Sequence, residues 1–146
     1  MQLEVVAEVD QSNPMVKRMA NDGQAAREWL AEHSQVDCCY LTTTGRRSGQ
    51  PHEIEIWFGV SEASLYLISG NGPTADWYLN LVADPHVRLR INGQTRDGSA
   101  RMVTDPGERR RVGDLMGAKY VWGGDPEIGL TYQAWCYDVP AVAVEF

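Results

Sequence analysis

Leu41-Thr42-Thr43-Thr44-Gly45-Arg46-Arg47-Ser48-Gly49-Gln50-Pro51-His52 joins two β-prone runs. The run that leads into it, residues 36–44, stops at Gly45. The run that leaves it, residues 53–60, begins once Gly49 and Pro51 have released the chain. A hairpin turn needs only small polar residues. Arg46 and Arg47, set among threonines, Ser48 and two glycines, offer fixed cations beside hydroxyl and backbone N–H donors. That combination suits a phosphate or a carboxylate. Taken alone, the same turn also reads as a basic, solvated hairpin.

The neighbouring segments extend the β pattern. Strands are expected over residues 37–43 and 52–59. In the second, His52, Ile54, Ile56 and Phe58 alternate with Glu53, Glu55 and Trp57. A third strand, residues 64–68, breaks at Ser69-Gly70-Asn71-Gly72-Pro73. Thr74 then caps a helix to about residue 82, with Asp76 in its first turn. Residues 87–91 and 94–103 form a hairpin about Asn92-Gly93. Thr104-Asp105-Pro106 starts a helix to about residue 120, and residues 139–146 form a last strand. Upstream, Ala25, Ala26, Trp29 and Leu30 recur at helical spacing over residues 23–33. Residues 1–22 read as an arm or short helix, and residues 23–146 as the main domain. About six strands, mostly joined by hairpins with helices inserted, favour a mainly β, α+β chain closed as a small antiparallel barrel.

The 146 residues suit one domain, and 43% hydrophobic with 23% charged residues is ordinary for a globular chain. A net charge of −7 argues against general nucleic-acid binding. It leaves room for a local basic pocket, which acts over about a Debye length. No apolar run has the length of a membrane span, and the acidic N-terminal residues Glu4, Glu8 and Asp10 do not resemble a signal peptide. Three cysteines without CxxC spacing suggest reduced thiols in a cytoplasmic protein and no metal site.

Several other residues could carry chemistry. The loop 69–72 opens toward a helix, so its N–H groups could form a second jaw for an anion beside Arg46 and Arg47. Trp57 lines a groove or sits on an amphipathic surface strand, and Trp77 and Tyr78 follow the glycine loop. Arg88 and Arg90 read as the solvated side of a half-buried strand, and residues 109–111 as a solvated helical face. Tyr120, Tyr132 and Tyr137 could each donate a proton to a substrate, or simply pack.

The order of these signals resembles the deazaflavin-dependent nitroreductase family of split-barrel flavin and deazaflavin oxidoreductases. The resemblance rests on the turn at residues 41–52, the following strand ending Ile56-Trp57-Phe58, and residues 70–93. It implies a six-stranded, FMN-binding-like split β-barrel with coenzyme F420 in a groove. Arg46, Arg47, Ser48 and Gly49 would hold its phosphate and acidic tail. Ser69, Gly70, Asn71 and Gly72 would cover the phosphate or ring edge, with Trp57 and Trp77 beside the ring. The implied activity is hydride transfer from F420H2 to an enone or nitro compound. FMN in the same groove, or a non-catalytic barrel carrying haem or lipid, are the alternatives. A small-molecule substrate and possible homodimerisation complete the expectation. Two departures stand out: Gly70 replaces a common lysine, and Ile54-Glu55 replaces a common Asn-Pro. Each lost charge-assisted contact would cost about 1.5–3 kcal/mol.

Overall fold

A computed structural model of the protein describes residues 14–146. Helix α1, Pro14–His33, runs through the expected boundary at residue 22, and residues 1–13 of the expected arm lie outside the described residues. There follow β1 (Cys39–Thr44), β2 (Pro51–Ile56), β3 (Gly59–Ser61) and β4 (Ser64–Ile68). Helix α2 (Asp76–Ala83), β5 (His86–Ile91), β6 (Gln94–Met102) and α3 (Pro106–Lys119) come next. A short helix α4, Tyr132–Tyr137, precedes β7, Ala141–Glu145.

The strands form one antiparallel sheet in the order β2-β1-β5-β6-β7-β4-β3. Its two outermost strands are successive in sequence, separated only by Trp57 and Phe58. So short a link spans at most about 11 Å, which forces the sheet to curl until its edges approach. β2 and β3 nevertheless do not pair with each other, and the barrel is split at that seam.

The seam also corrects the strand count. One continuous strand was expected over residues 52–59; the chain instead bends at Trp57–Phe58 and makes two, giving seven strands rather than six. A bend removes backbone groups from the ladder, and buried backbone groups must find other partners. Residues from the end of α3 supply them. The Tyr120 hydroxyl accepts from the Phe58 amide at 3.1 Å, while Lys119 Nζ donates to the Phe58 carbonyl at 2.9 Å. The Phe58 side chain turns inward and is fully buried; Trp57 turns outward.

Alternation along the strands builds two apolar layers. Inside the curl, Leu41, Leu65, Leu67, Val87, Leu89, Ile91, Val142 and Val144 meet Trp29 and Leu30 of α1. On the outer face, Tyr66, Ile68, Ala141 and Ala143 receive Val112 and Met116 of α3 and Trp135 of α4. Each large buried side chain contributes about 1.5–3 kcal/mol by leaving water. The small alanines of β7 let α3 and α4 approach closely, which fixes the position of Trp135.

Other local expectations shift with the tertiary context. Residues 72–74 form a 3-10 turn, so α2 starts after Ala75 and receives no side-chain cap from Thr74. Asp105 is the cap of α3, its carboxylate accepting from the Glu108 amide at 2.8 Å. Arg109 does not belong to a solvated helical face. Its guanidinium is half-buried and donates to the carbonyls of Val139 and Cys136, tying α3 to the end of α4.

Candidate functional site

The turn between β1 and β2 is tightly specified. The Gly45 amide donates to the Gln50 carbonyl and the Gly49 amide to the Gly45 carbonyl, both at 2.8 Å. A Cβ on Gly45 would lie only 2.7 Å from His52 Nε2 and about as close to Ser48 Oγ. Gly49 has φ +71°, a left-handed conformation that glycine adopts without cost. Ser48 Oγ accepts from the Gln50 amide at 3.1 Å, which orients the hydroxyl within the turn.

Arg46 and Arg47 have different environments. Arg46 Nη1 donates to Asn80 Oδ1 at 2.9 Å, and its backbone amide reaches the same oxygen at 3.2 Å. Asn80 is 4% exposed and donates through Nδ2 to Thr43 Oγ1 at 3.1 Å, which locks the turn onto α2. Arg46 also pairs with Asp76 at 3.2 Å, but Asp76 is 89% exposed at its side chain, so that contact adds little. Arg47 is exposed and makes no hydrogen bond or ion pair with a described residue. It is the uncommitted cation of the turn.

A groove leads away from this turn along the free edge of β2. Its first stretch, about 450 Å³, is lined by Arg46, Arg47, Ser48, His52, Ile54 and Trp77 among others. The middle stretch, about 420 Å³, shares Ile54 and Trp77 and adds Glu55, Gly70, Asn71 and Leu130. The last, about 480 Å³, is walled by Ile56, Trp57, Ile68, Trp122 and Trp135. Arg46, Arg47, Ser48, Gly70, Asn71, Trp57 and Trp77 thus lie along one surface. Gly49, Ser69 and Gly72 do not line it. Ser69 is fully buried, and its hydroxyl donates to the Gly72 carbonyl at 2.6 Å, holding the loop closed. A Cβ at Gly70 would touch Leu130 at 3.4 Å and Trp135 at 3.5 Å, so this loop rests on the aromatic wall.

That wall is the part sequence reasoning missed. Trp57, Trp122 and Trp135 meet edge to face, with ring centroids 5.6–5.7 Å apart and planes 87–89° to one another. The other side of Trp57 stacks on Tyr120 at 4.4 Å. Edge-to-face aromatic pairs each add about 0.5–1.5 kcal/mol beyond area burial. The Trp122 indole nitrogen is buried without a hydrogen-bond partner among the described residues. A clue existed in the composition of residues 120–135, which carry two tryptophans and two tyrosines.

The three tyrosine candidates lie elsewhere. The Tyr120 hydroxyl is 2.6 Å from the Asp37 carbonyl and 3.0 Å from that of Phe58, and burial pushes its pKa up to about 12. The Tyr132 hydroxyl donates to the carbonyls of Tyr120 and Gly117 at 2.7 and 2.9 Å. Tyr137 donates to Asp114 at 2.6 Å, away from the groove. All three hydroxyls are spent on internal bonds, and none of them faces the groove. Lys119, half-buried over the Phe58 ring at 3.7 Å, has its pKa pushed down to about 8 by burial.

The whole is a split antiparallel barrel with a cation-tipped, tryptophan-walled groove along its open edge. The family model for F420H(2)-dependent quinone reductases matches residues 14–122, and the chain belongs to that family. It is therefore an F420H2-dependent reductase. Among solved structures, it is similar to an F420-H2 dependent reductase at 22% identity and TM-score 0.58, over 75% of this chain and 95% of the other. A putative 5-nitroimidazole antibiotic resistance protein from Bacteroides thetaiotaomicron matches at 18% identity and TM-score 0.60, over 82% of this chain and 78% of the other. The heme storage protein HutZ of Vibrio cholerae matches at 17% identity and TM-score 0.58, over 82% and 89%. At these identities the structural likenesses speak for the fold; the family match speaks for the cofactor. Among the described residues no helix is long and apolar enough to cross a membrane.

Proposed function

We propose that the groove along β2 is where this reductase holds F420 and brings an electron-poor planar molecule, such as a quinone, enone or nitro compound, against it. The observation that carries the reading is the polarity of the groove: a free arginine at one end and three tryptophans at the other. The residues present fit the cofactor. Arg47, with the backbone amides of the turn and the Ser48 hydroxyl, would take the phosphate and acidic tail through charge-assisted hydrogen bonds. Trp77 and Ile54 would flank the middle of the molecule. The unpaired N–H and C=O groups of an edge strand match the mixed donors and acceptors of a heterocyclic ring. Bound there, reduced F420 supplies the hydride.

The chain's own work is then positional. Trp57 is aimed into the groove by the bend at Phe58, and Tyr120 backs it by stacking, so an acceptor ring meets a rigid wall. Because the three tyrosine hydroxyls are committed elsewhere, the proton that F420H2 gives up would reach the acceptor through solvent at the groove mouth.

The test is a fluorescence titration of F420 against the wild-type protein, Arg47→Ala and Arg46→Ala. Saturable binding is expected for wild type. Arg47→Ala should weaken it about tenfold with the melting temperature unchanged. Arg46→Ala should lower the melting temperature as well, since the buried Asn80 oxygen loses its 2.9 Å bond to the guanidinium and keeps only the Arg46 amide. Unchanged binding in Arg47→Ala would remove the turn from the cofactor site.

A further inference from the structure

The two ends of the groove differ in sign as well as in apolarity. Arg46, Arg47 and His52 line the first stretch. In the other two stretches there is no arginine, lysine or histidine; the charged side chains are Glu55, which lines both, and Asp125. Glu53 and Asp76 also line that first stretch, paired with Arg90 at 3.1 Å and with Arg46 at 3.2 Å, which leaves Arg47 as its unpaired charge among the described residues. Glu55 has no ion-pair partner among the described residues. Its polar contact is the Cys38 thiol, which donates to Oε2 at 2.8 Å. That thiol is neutral at physiological pH, since the hydrogen bond to Glu55 raises its pKa to about 11. It orients the carboxylate without cancelling its charge.

A carboxylate in a tryptophan-lined stretch attracts cations twice over, through its unit charge and through the negative face of an indole ring left open to the groove. We propose that the aromatic end of the groove selects planar ring compounds carrying a positive charge as electron acceptors, and that Glu55 makes the selection. This rests on the groove being the reductase site. For a quinone bearing a cationic substituent, the step balances simply. F420H2 loses one hydride and one proton, the quinone gains one of each to become the hydroquinone, and the substituent keeps its charge. The same field works against acceptors that carry a sulfonate or carboxylate. Glu55 would then be a specificity residue that touches the acceptor, at the position where the family resemblance leads one to expect a proline.

The experiment is calorimetric binding of three 1,4-naphthoquinones to protein saturated with oxidised F420: one with a trimethylammonium substituent, one unsubstituted and one with a sulfonate. Initial rates with F420H2 run alongside. The wild-type protein should bind the cation about tenfold tighter than the neutral compound, and the anion weakest. Glu55→Gln should bring the three within about threefold of each other, and Glu55→Lys should invert the order. An order that Glu55→Gln leaves intact, or equal binding of all three by wild type, would overturn the inference. So would binding of F420 with none of the quinones. A protein that does not bind F420 would fail earlier, in the loading titration, and would bring down the reductase site itself along with this selection.

Discussion

At the arginine end of the groove the lining comes from one hairpin and the helix it leans on, whereas at the aromatic end Trp57 meets two tryptophans from far along the chain. The first end is held by short polar bonds: Gly45 to Gln50, Arg46 to Asn80, Asn80 to Thr43. The second is held by packing, with Trp135 touching Trp57, Trp122, Tyr120 and Tyr132. A polar end of this kind can be rebuilt by a few hydrogen bonds worth about 1 kcal/mol each. A packed end depends on volume, and a missing ring leaves a hole that neighbours fill only in part.

This difference predicts how each end fails. Trp135→Ala should cost the most, about 3–5 kcal/mol in urea unfolding, because the residue is 5% exposed and joins the outer apolar layer to the groove wall. A loss below about 1 kcal/mol would mean that the aromatic end is as loosely built as the turn.

Acid should also reach the aromatic end. Arg101 grips Glu108 through two bonds of 2.7 and 2.8 Å, and Tyr66 donates to the same carboxylate at 2.7 Å. The Arg101 hydrogen bonds hold the Glu108 pKa down to about 2, against 4.5 for a free side chain. A carboxylate depressed in the folded state contributes its stability in full above 4.5 and loses it as pH falls from there toward 2. Glu108 anchors α3, whose end carries Lys119 and Tyr120 to the bend. In Glu108→Gln, therefore, unfolding free energy measured from pH 5 to pH 2 should fall less steeply than in wild type. The gain of wild type over the variant at pH 6 should be about 1–2 kcal/mol. Parallel profiles would remove Glu108 as the acid-sensitive link.

Tyr120→Phe sharpens the comparison most finely. It keeps the ring stacked on Trp57 and strands the buried Phe58 amide, at a cost of about 1–3 kcal/mol. Turnover per folded molecule should stay within about twofold of wild type, because the hydroxyl is bonded to the Asp37 and Phe58 carbonyls, away from the groove. A loss of kcat with an altered pH–rate profile would restore Tyr120 to the chemistry.

Much of the fold and half of the site were legible in the chain. Alternation along β1, β4 and β5, the Asn92-Gly93 hairpin and the Asp105-Pro106 helix start are local features. Steric and hydrogen-bonding rules over a few residues suffice to specify them. The GRRSG turn is local too, so its cations could be named in advance. What no local rule distinguished was Arg46 from Arg47. One becomes a clamp only because α2 brings Asn80 and Asp76 under the turn, and the other stays unpaired among the described residues. The break at Trp57–Phe58 was hidden for the same reason: the alternation continues through it, and the partners that satisfy Phe58 arrive from the end of α3. The tyrosines at 120, 132 and 137 could be donors on composition alone; the fold gives each hydroxyl an internal hydrogen-bond partner.

The amino-acid sequence by itself determined the sheet-forming segments, the cationic turn and the family, because these depend on residues that are close together in the chain. The aromatic wall, the split between β2 and β3 and the exposed charge of Glu55 came from the closing of the sheet. Contacts between distant residues form only when curvature brings them together, and their energy is that of packing and desolvation in the folded state, which no short stretch of sequence contains.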